Sequence, residues 1–381
     1  MSEHLHQAHP SQADSKKQWR KFWIKTAFML ILIVFSIVIM FTIGSYVSKD
    51  KGQISFLTLL KTIDYRYFAL LLGILLLYVL VESCKYAYLM KITTGKFRFR
   101  TAVKVMMIGK YYDGITPLST GGQPFQILYL HKKEIPKGIA SALPLVRYIV
   151  SAVVISVLSI VLLCITKRFV TSTIASDIML IVAAISLVIN ASVPFIIILF
   201  SVFPKAIMKL VVWGIGILSK LHLIKHKYEL SKRCINGLLE CSAAMKLFGK
   251  KIKYLFPLLI LCTAEVIINY SIPFFTVIAV AGVMPTMELF LQILCLSVLT
   301  RYTSLLLPTP GNTGAMEASG SLAFATISGI EPVIGWVVLI WRLFTYYIYI
   351  LFGIGINIFD VVRNSVRQKK NTDLESDSSL S

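Results

Sequence analysis

The stretch YYDGITPLSTGGQPFQILYL, residues 111–130, decides how this chain is read. It gathers a carboxylate (Asp113), two prolines, three glycines and several hydroxyls between long apolar runs. One reading makes it an aqueous connector. The other makes it broken backbone at membrane depth, which is tolerated only where protein or a wet cavity satisfies the freed N–H and C=O groups.

The flanking sequence bears on that choice. The 381 residues are 56% hydrophobic, only 15% are charged, and the mean hydropathy is +0.76. A soluble chain carries roughly a quarter charged residues. Runs long enough to cross a bilayer, about 20 residues, lie at 23–45, 67–89, 142–166, 178–202, 255–282, 287–307 and 332–358. The expected fold class is all-α: a polytopic membrane bundle of about seven or eight spans with two broken or re-entrant segments. Helices are expected at about 100–113 (interfacial), 137–166, 178–202, 253–282, 287–307, 315–329 and 332–358. The 23–45 run lacks a following small-residue cleavage site and reads as a retained helix. Polar tails at 1–22 and 361–381 flank a membrane unit over 23–360.

Net charge is +21, and its placement matters more than its size. Residues 85–110 hold seven Lys/Arg and no acid, 203–255 hold eleven against two Glu, and 363–370 hold four. By the positive-inside rule these segments, and both termini, are expected on the cytoplasmic side. Topology accounts for the charge, so direct nucleic-acid binding is not expected. The six cysteines are scattered without C-x-x-C pairs, which implies neither a metal site nor a disulfide framework. No cofactor motif, P-loop or conventional hydrolase signature occurs.

The opening stretch has a possible relative. KYYDGITPLSTGG (110–122) and RYTSLLLPTPGNTG (301–314) each begin with a basic residue followed by Tyr. Each reaches its first proline seven positions later and then turns polar. Two related halves with broken helices are a transporter hallmark, although ordinary surface turns would look similar.

Ionisable residues in apolar runs are functional candidates: Glu82, Asp113, Arg147, Glu265, Arg301, Glu317 and Arg342. The arginine fork suits phosphate or carboxylate. For Arg147 the alternative is snorkelling to the interface; for Glu82 it is a place at a helix end. Glu265 reads equally as a structural partner of an arginine. Glu317 reads as a helix cap or as a carboxylate for a cationic head group. Tyr346, Tyr347 and Tyr349 read as an interfacial belt or as cavity lining.

The first stretch, the helix carrying Arg147, and LLLPTPGNTGAMEASG (305–320) together resemble the lysylphosphatidylglycerol synthase/flippase transmembrane family, the membrane region of the bacterial multiple peptide resistance factor. The resemblance runs over roughly 20–360. It implies handling of an anionic or aminoacylated phospholipid in a bacterial cell membrane, with resistance to cationic antimicrobial peptides. Phosphatidylglycerol lysyltransferase activity, or a subunit role beside a separate transferase chain, is the alternative it implies; an envelope scaffold is another. The hydrophilic stretch 203–255 is too short for a transferase domain, so lysyl transfer by this chain alone is not expected. A homo-oligomer is admissible. Carried onto this sequence, the motif marks Asp113, Thr116, Pro117, Gly121, Gly122 and Gln123 in the first loop, and Pro308, Gly311, Gly314 and Glu317 in the second.

Overall fold

The fold is described from a computed structural model over residues 54–117, 119, 121–170, 174–220, 227–250 and 252–355, with isolated helical positions between 27 and 45. The tails at 1–22 and 361–381, most of the 23–45 run and the basic cluster at 363–370 lie outside the described residues. Among the described residues there is no strand; one isolated antiparallel bridge joins Pro117 to Pro310.

Local chemistry fixes the helices. The first is the short α1 (Phe56–Thr62). Then α2 (Tyr65–Thr94) starts where the Asp64 side chain accepts the Arg66 N–H at 2.9 Å, and stops at Gly95 with φ +71°, a left-handed cap that glycine adopts without strain. Next come α3 (Phe99–Ile115), α4 (Gly122–Lys132), α5 (Lys137–Thr166) and α6 (Ile174–Val202). The basic 203–255 stretch is largely helical, as α7 (Pro204–Lys220) and α8 (Lys227–Lys250). After it come α9 (Phe256–Ala281), α10 (Met287–Leu305) and α11 (Ala315–Phe324). The last span, α12, opens as Ile334–Arg342, passes through a π-turn at Leu343–Tyr347 and runs on to Gly355. Among the described residues, five helices are long and apolar enough to span a bilayer: α2, α5, α6, α9 with its 3-10 lead-in, and the 331–355 segment.

Their outer faces are apolar. Leu72, Leu76 and Leu80 point outward from α2, Leu76 being 70% exposed. Such stripes suit hydrocarbon and not water. Within a bilayer apolar contact alone does not drive helices together, so close packing and polar pairs must hold the bundle. The main core joins α2 and α9 with the end of α11 and the start of α12, through Leu71, Tyr78, Val277, Phe324 and Val337.

Contacts at the two ends of the bundle define the topology. At one end, Asp64 N–H donates to Ala279 O (2.9 Å) and Ile54 N–H to Pro332 O (3.1 Å), joining the starts of α2 and α12 to the end of α9. At the other, Tyr88 Oη donates to Tyr254 O (2.7 Å) and Arg98 donates to Lys133 O (3.0 Å). Helices α2 and α9 are therefore antiparallel. The α3–α4 hairpin enters and leaves by the second end. The α10–α11 hairpin opens at the first, where Ile293 and Phe324 share a core with Ile63 and Val280.

The sequence similarity between the two loops thus extends to whole halves. The 191 positions that separate Lys110 from Arg301 also carry α2 onto α9, α3 onto α10, α4 onto α11 and α5 onto α12, to within a few residues. Each half is a long helix, a broken hairpin and a second long helix, and the two halves run in opposite directions. This is an inverted repeat, the architecture of many transporters. The 122–132 segment, read from sequence as part of a loop, is the helix that completes the first hairpin.

Candidate functional site

The two hairpin tips meet inside the bundle. Besides the Pro117–Pro310 bridge, Gly311 N–H donates to Thr116 O at 3.4 Å, and Ser119 Oγ lies 3.5 Å from Asn312 Oδ1. Tyr346 Oη from α12 donates to Gly114 O at 3.0 Å. The broken backbone is therefore satisfied by the opposite hairpin and by α12, which answers the question posed by residues 111–130: they are not an aqueous connector.

Beside the tips lies a cavity of about 340 Å³. Lys110 stands roughly 16 Å along α3 and Arg301 roughly 21 Å along α10, each toward the tip of its hairpin. Of the sequence-derived candidates, Asp113, Gln123, Arg147, Glu265, Arg301, Gly311 and Arg342 line this cavity. Thr116, Gly121, Gly122 and Glu317 do not line it; they build its walls.

Their work is local. Thr116 Oγ1 donates to Tyr112 O and accepts the Gly121 N–H, both at 2.8 Å, closing the first tip. Asp113 Oδ1 accepts the Gly122 N–H at 2.8 Å, a carboxylate at the positive start of α4. A Cβ on Gly122 would sit 2.6 Å from both Asp113 Oδ1 and Gly109 O, so the two limbs approach as closely as glycine permits. In the second hairpin Glu317 accepts the Gly314 N–H at 2.6 Å and the Arg342 Nε–H at 2.7 Å. Arg342 also donates to Gly311 O at 3.2 Å and stacks its guanidinium 4.3 Å from the Tyr346 ring centroid. Both partners are buried, so the Glu317 carboxylate meets a cation of its own chain and not a head group.

A second polar cluster backs the cavity. Arg147 bonds Glu82 Oε1 at 2.7 Å, Glu82 pairs with Lys85 one turn on, and Lys85 reaches Glu265 Oε2 at 2.9 Å. Glu82 is not interfacial as its nearness to Lys85 suggested. Helix α2 runs on to Thr94, leaving Glu82 2% exposed among its partners. Arg147 does not snorkel for the same reason: its partner is inside. Glu265 is indeed a structural partner, but of a lysine. Tyr346, Tyr347 and Tyr349 are buried, and Tyr346 and Tyr349 line the cavity, so they form no interfacial belt.

Lys110 was missed among the candidates, along with Tyr78 and Asn269. Its ammonium sits 4.9 Å above the Tyr78 ring and 5.8 Å from that of Tyr349. Among the described residues neither Lys110 nor Arg301 is ion-paired, whereas Arg147 and Arg342 are. The signal for Lys110 was present: it is the repeat mate of Arg301. Asn269 lies four residues before Pro273, whose missing N–H leaves the Asn269 carbonyl without its helical donor. Both line the cavity.

Residues 24–353 match the family described as Lysylphosphatidylglycerol synthase TM region. Over 119 residues the chain is 28% identical to UPF0104 membrane protein MJ1595 of Methanocaldococcus jannaschii, a stretch covering 31% of this chain and 34% of that protein. The chain thus spans about a third of the length of the curated relative it matches. No solved structure matches it. With the family match running through both hairpins and every helix that lines the cavity, the chain belongs to the lysylphosphatidylglycerol synthase transmembrane-region family, as a multi-pass, all-α membrane protein.

Proposed function

We propose that this protein moves the head group of a polar phospholipid between the leaflets of a cell membrane, through the cavity beside the two hairpin tips. One observation carries the reading: Lys110 and Arg301, at matching positions of an inverted repeat, face a cavity inside the helical bundle without an ion-pair partner among the described residues. Unpaired buried charge is costly. A lipid phosphate entering from either side offsets that cost, and the arginine fork holds it by charge-assisted hydrogen bonds. The apolar acyl chains stay in the surrounding bilayer, so only the head group needs a polar path. Lysylated phosphatidylglycerol, which the family description names, is the first lipid to test. For that lipid, display on the outer leaflet would reduce the attraction of cationic antimicrobial peptides.

The experiment is head-group exchange in liposomes. Purified protein is reconstituted with a fluorescent phospholipid, and a membrane-impermeant quencher is added outside. The wild type is expected to expose the inner-leaflet half that stays protected in protein-free vesicles. Arg301→Gln is expected to slow that exposure at least about tenfold, the loss of one charge-assisted contact. Exposure no faster than in empty vesicles, with folded protein and every lipid tried, rejects the reading.

A further inference from the structure

The charges that close on the cavity do not cancel. Three carboxylates, Glu82, Glu265 and Glu317, are held by three cations, Lys85, Arg147 and Arg342, at ion-pair distance. Asp113 remains, with Lys110 and Arg301 against it. The Asp113 carboxylate is partly engaged by the Gly122 N–H, and neither cation has an ionic partner among the described residues. With every group ionised, the side chains around the cavity sum to one excess positive charge, in a region where an uncompensated charge is expensive. The rest of the polar lining is neutral and includes Gln123, Asn190, Asn269 and Ser297. Amide and hydroxyl groups both donate and accept, which suits hydroxyl groups on a ligand.

We infer that the cavity selects a lipid head group with one net negative charge and free hydroxyls, a phosphodiester bearing a polyol, over an aminoacylated head group. This inference rests on the lipid-moving reading and narrows its substrate. A lysyl ester of phosphatidylglycerol combines one phosphodiester with two ammonium groups and is net cationic. Binding it would raise the excess charge in the site; binding the unmodified anionic lipid removes that excess. The volume, about 340 Å³, lies at the small end of ligand pockets and accepts a head group without its tails.

The test is equilibrium binding to the full chain in phosphatidylcholine nanodiscs, read by tryptophan fluorescence, since Trp341 lines the cavity. The probes are dioctanoyl phosphatidylglycerol, its lysyl ester, dioctanoyl phosphatidylethanolamine and inorganic phosphate. Phosphatidylglycerol is expected to bind at least about tenfold more tightly than the lysyl ester or the ethanolamine lipid. Lys110→Gln and Arg301→Gln each weaken it by about tenfold or more, while Arg301→Lys keeps most of the affinity. Asp113→Asn, which retains an acceptor for Gly122 but removes the negative charge, tightens it; a merely structural role for Asp113 would give the opposite sign. Equal or tighter binding of the lysyl ester, or of inorganic phosphate alone, overturns the inference and leaves lipid movement standing. If no lipid binds a folded protein, both fail.

Discussion

Arg342 is 4% exposed and its carboxylate partner Glu317 is wholly buried. Removing one member of such a pair strands the other, typically at about 3–5 kcal/mol, whereas removing both is far milder. Arg342→Gln and Glu317→Gln are each expected to lower the unfolding temperature in detergent sharply, with the double variant recovering much of the loss. Arg301→Gln, with no partner to strand, should leave that temperature nearly unchanged. A fluorescence melting series checks the contrast. Isolated charges in apolar runs stand out because they cost so much, so Asp113, Arg147, Arg301 and Arg342 were legible in the sequence. Lys110 was not, since it closes a run of seven basic residues at 85–110 that topology alone explained. Glu317 was legible as a helix cap, but its burial against Arg342 depends on how α11 meets α12, which no local pattern encodes.

Helix α4 shows how a break and a start share residues. Gly121, Gly122 and Pro124 look like loop, yet proline in a first helical turn forfeits no hydrogen bond. The same glycines let the limbs of the hairpin touch. Gly122→Ala is expected to cost about 1–3 kcal/mol by overpacking against Asp113 and the Gly109 carbonyl. Gly311→Ala is strained twice, by φ +59° and by a Cβ that would fall 2.8 Å from Gly114 O and against the Tyr346 ring. Gly237, in α8 with open space around it, is the control: alanine there should stabilise by about 0.5–1 kcal/mol through helix propensity. Expression yield and melting temperature of the three variants separate these outcomes. The long helices were readable to within a few residues because capping residues and apolar length act locally; 137–166 is recovered as α5 without change. Hairpin geometry was not readable, because α10 is nearly as long as a full span and only its contacts with α11 turn it back.

At the scale of the molecule, the repeat was visible only as a short likeness between two loops. Its confirmation needed three dimensions, where a single offset maps four helices onto four. If that symmetry governs transport, the tips must part for a head group to pass. A disulfide between Ser119→Cys and Asn312→Cys, whose present side chains lie 3.5 Å apart, is expected to stop lipid exchange while sparing lipid binding. Reduction should restore exchange. The meeting of the tips also bears on how the protein is made. Thr116 and Gly311 are joined across 195 positions of chain. At ribosomal speeds of about 5–20 residues per second, the first tip waits roughly 10–40 s for the second to be synthesised. Through that interval the Thr116 carbonyl lacks the Gly311 N–H that later meets it, so the first half alone is expected to be cut by protease faster than the finished protein.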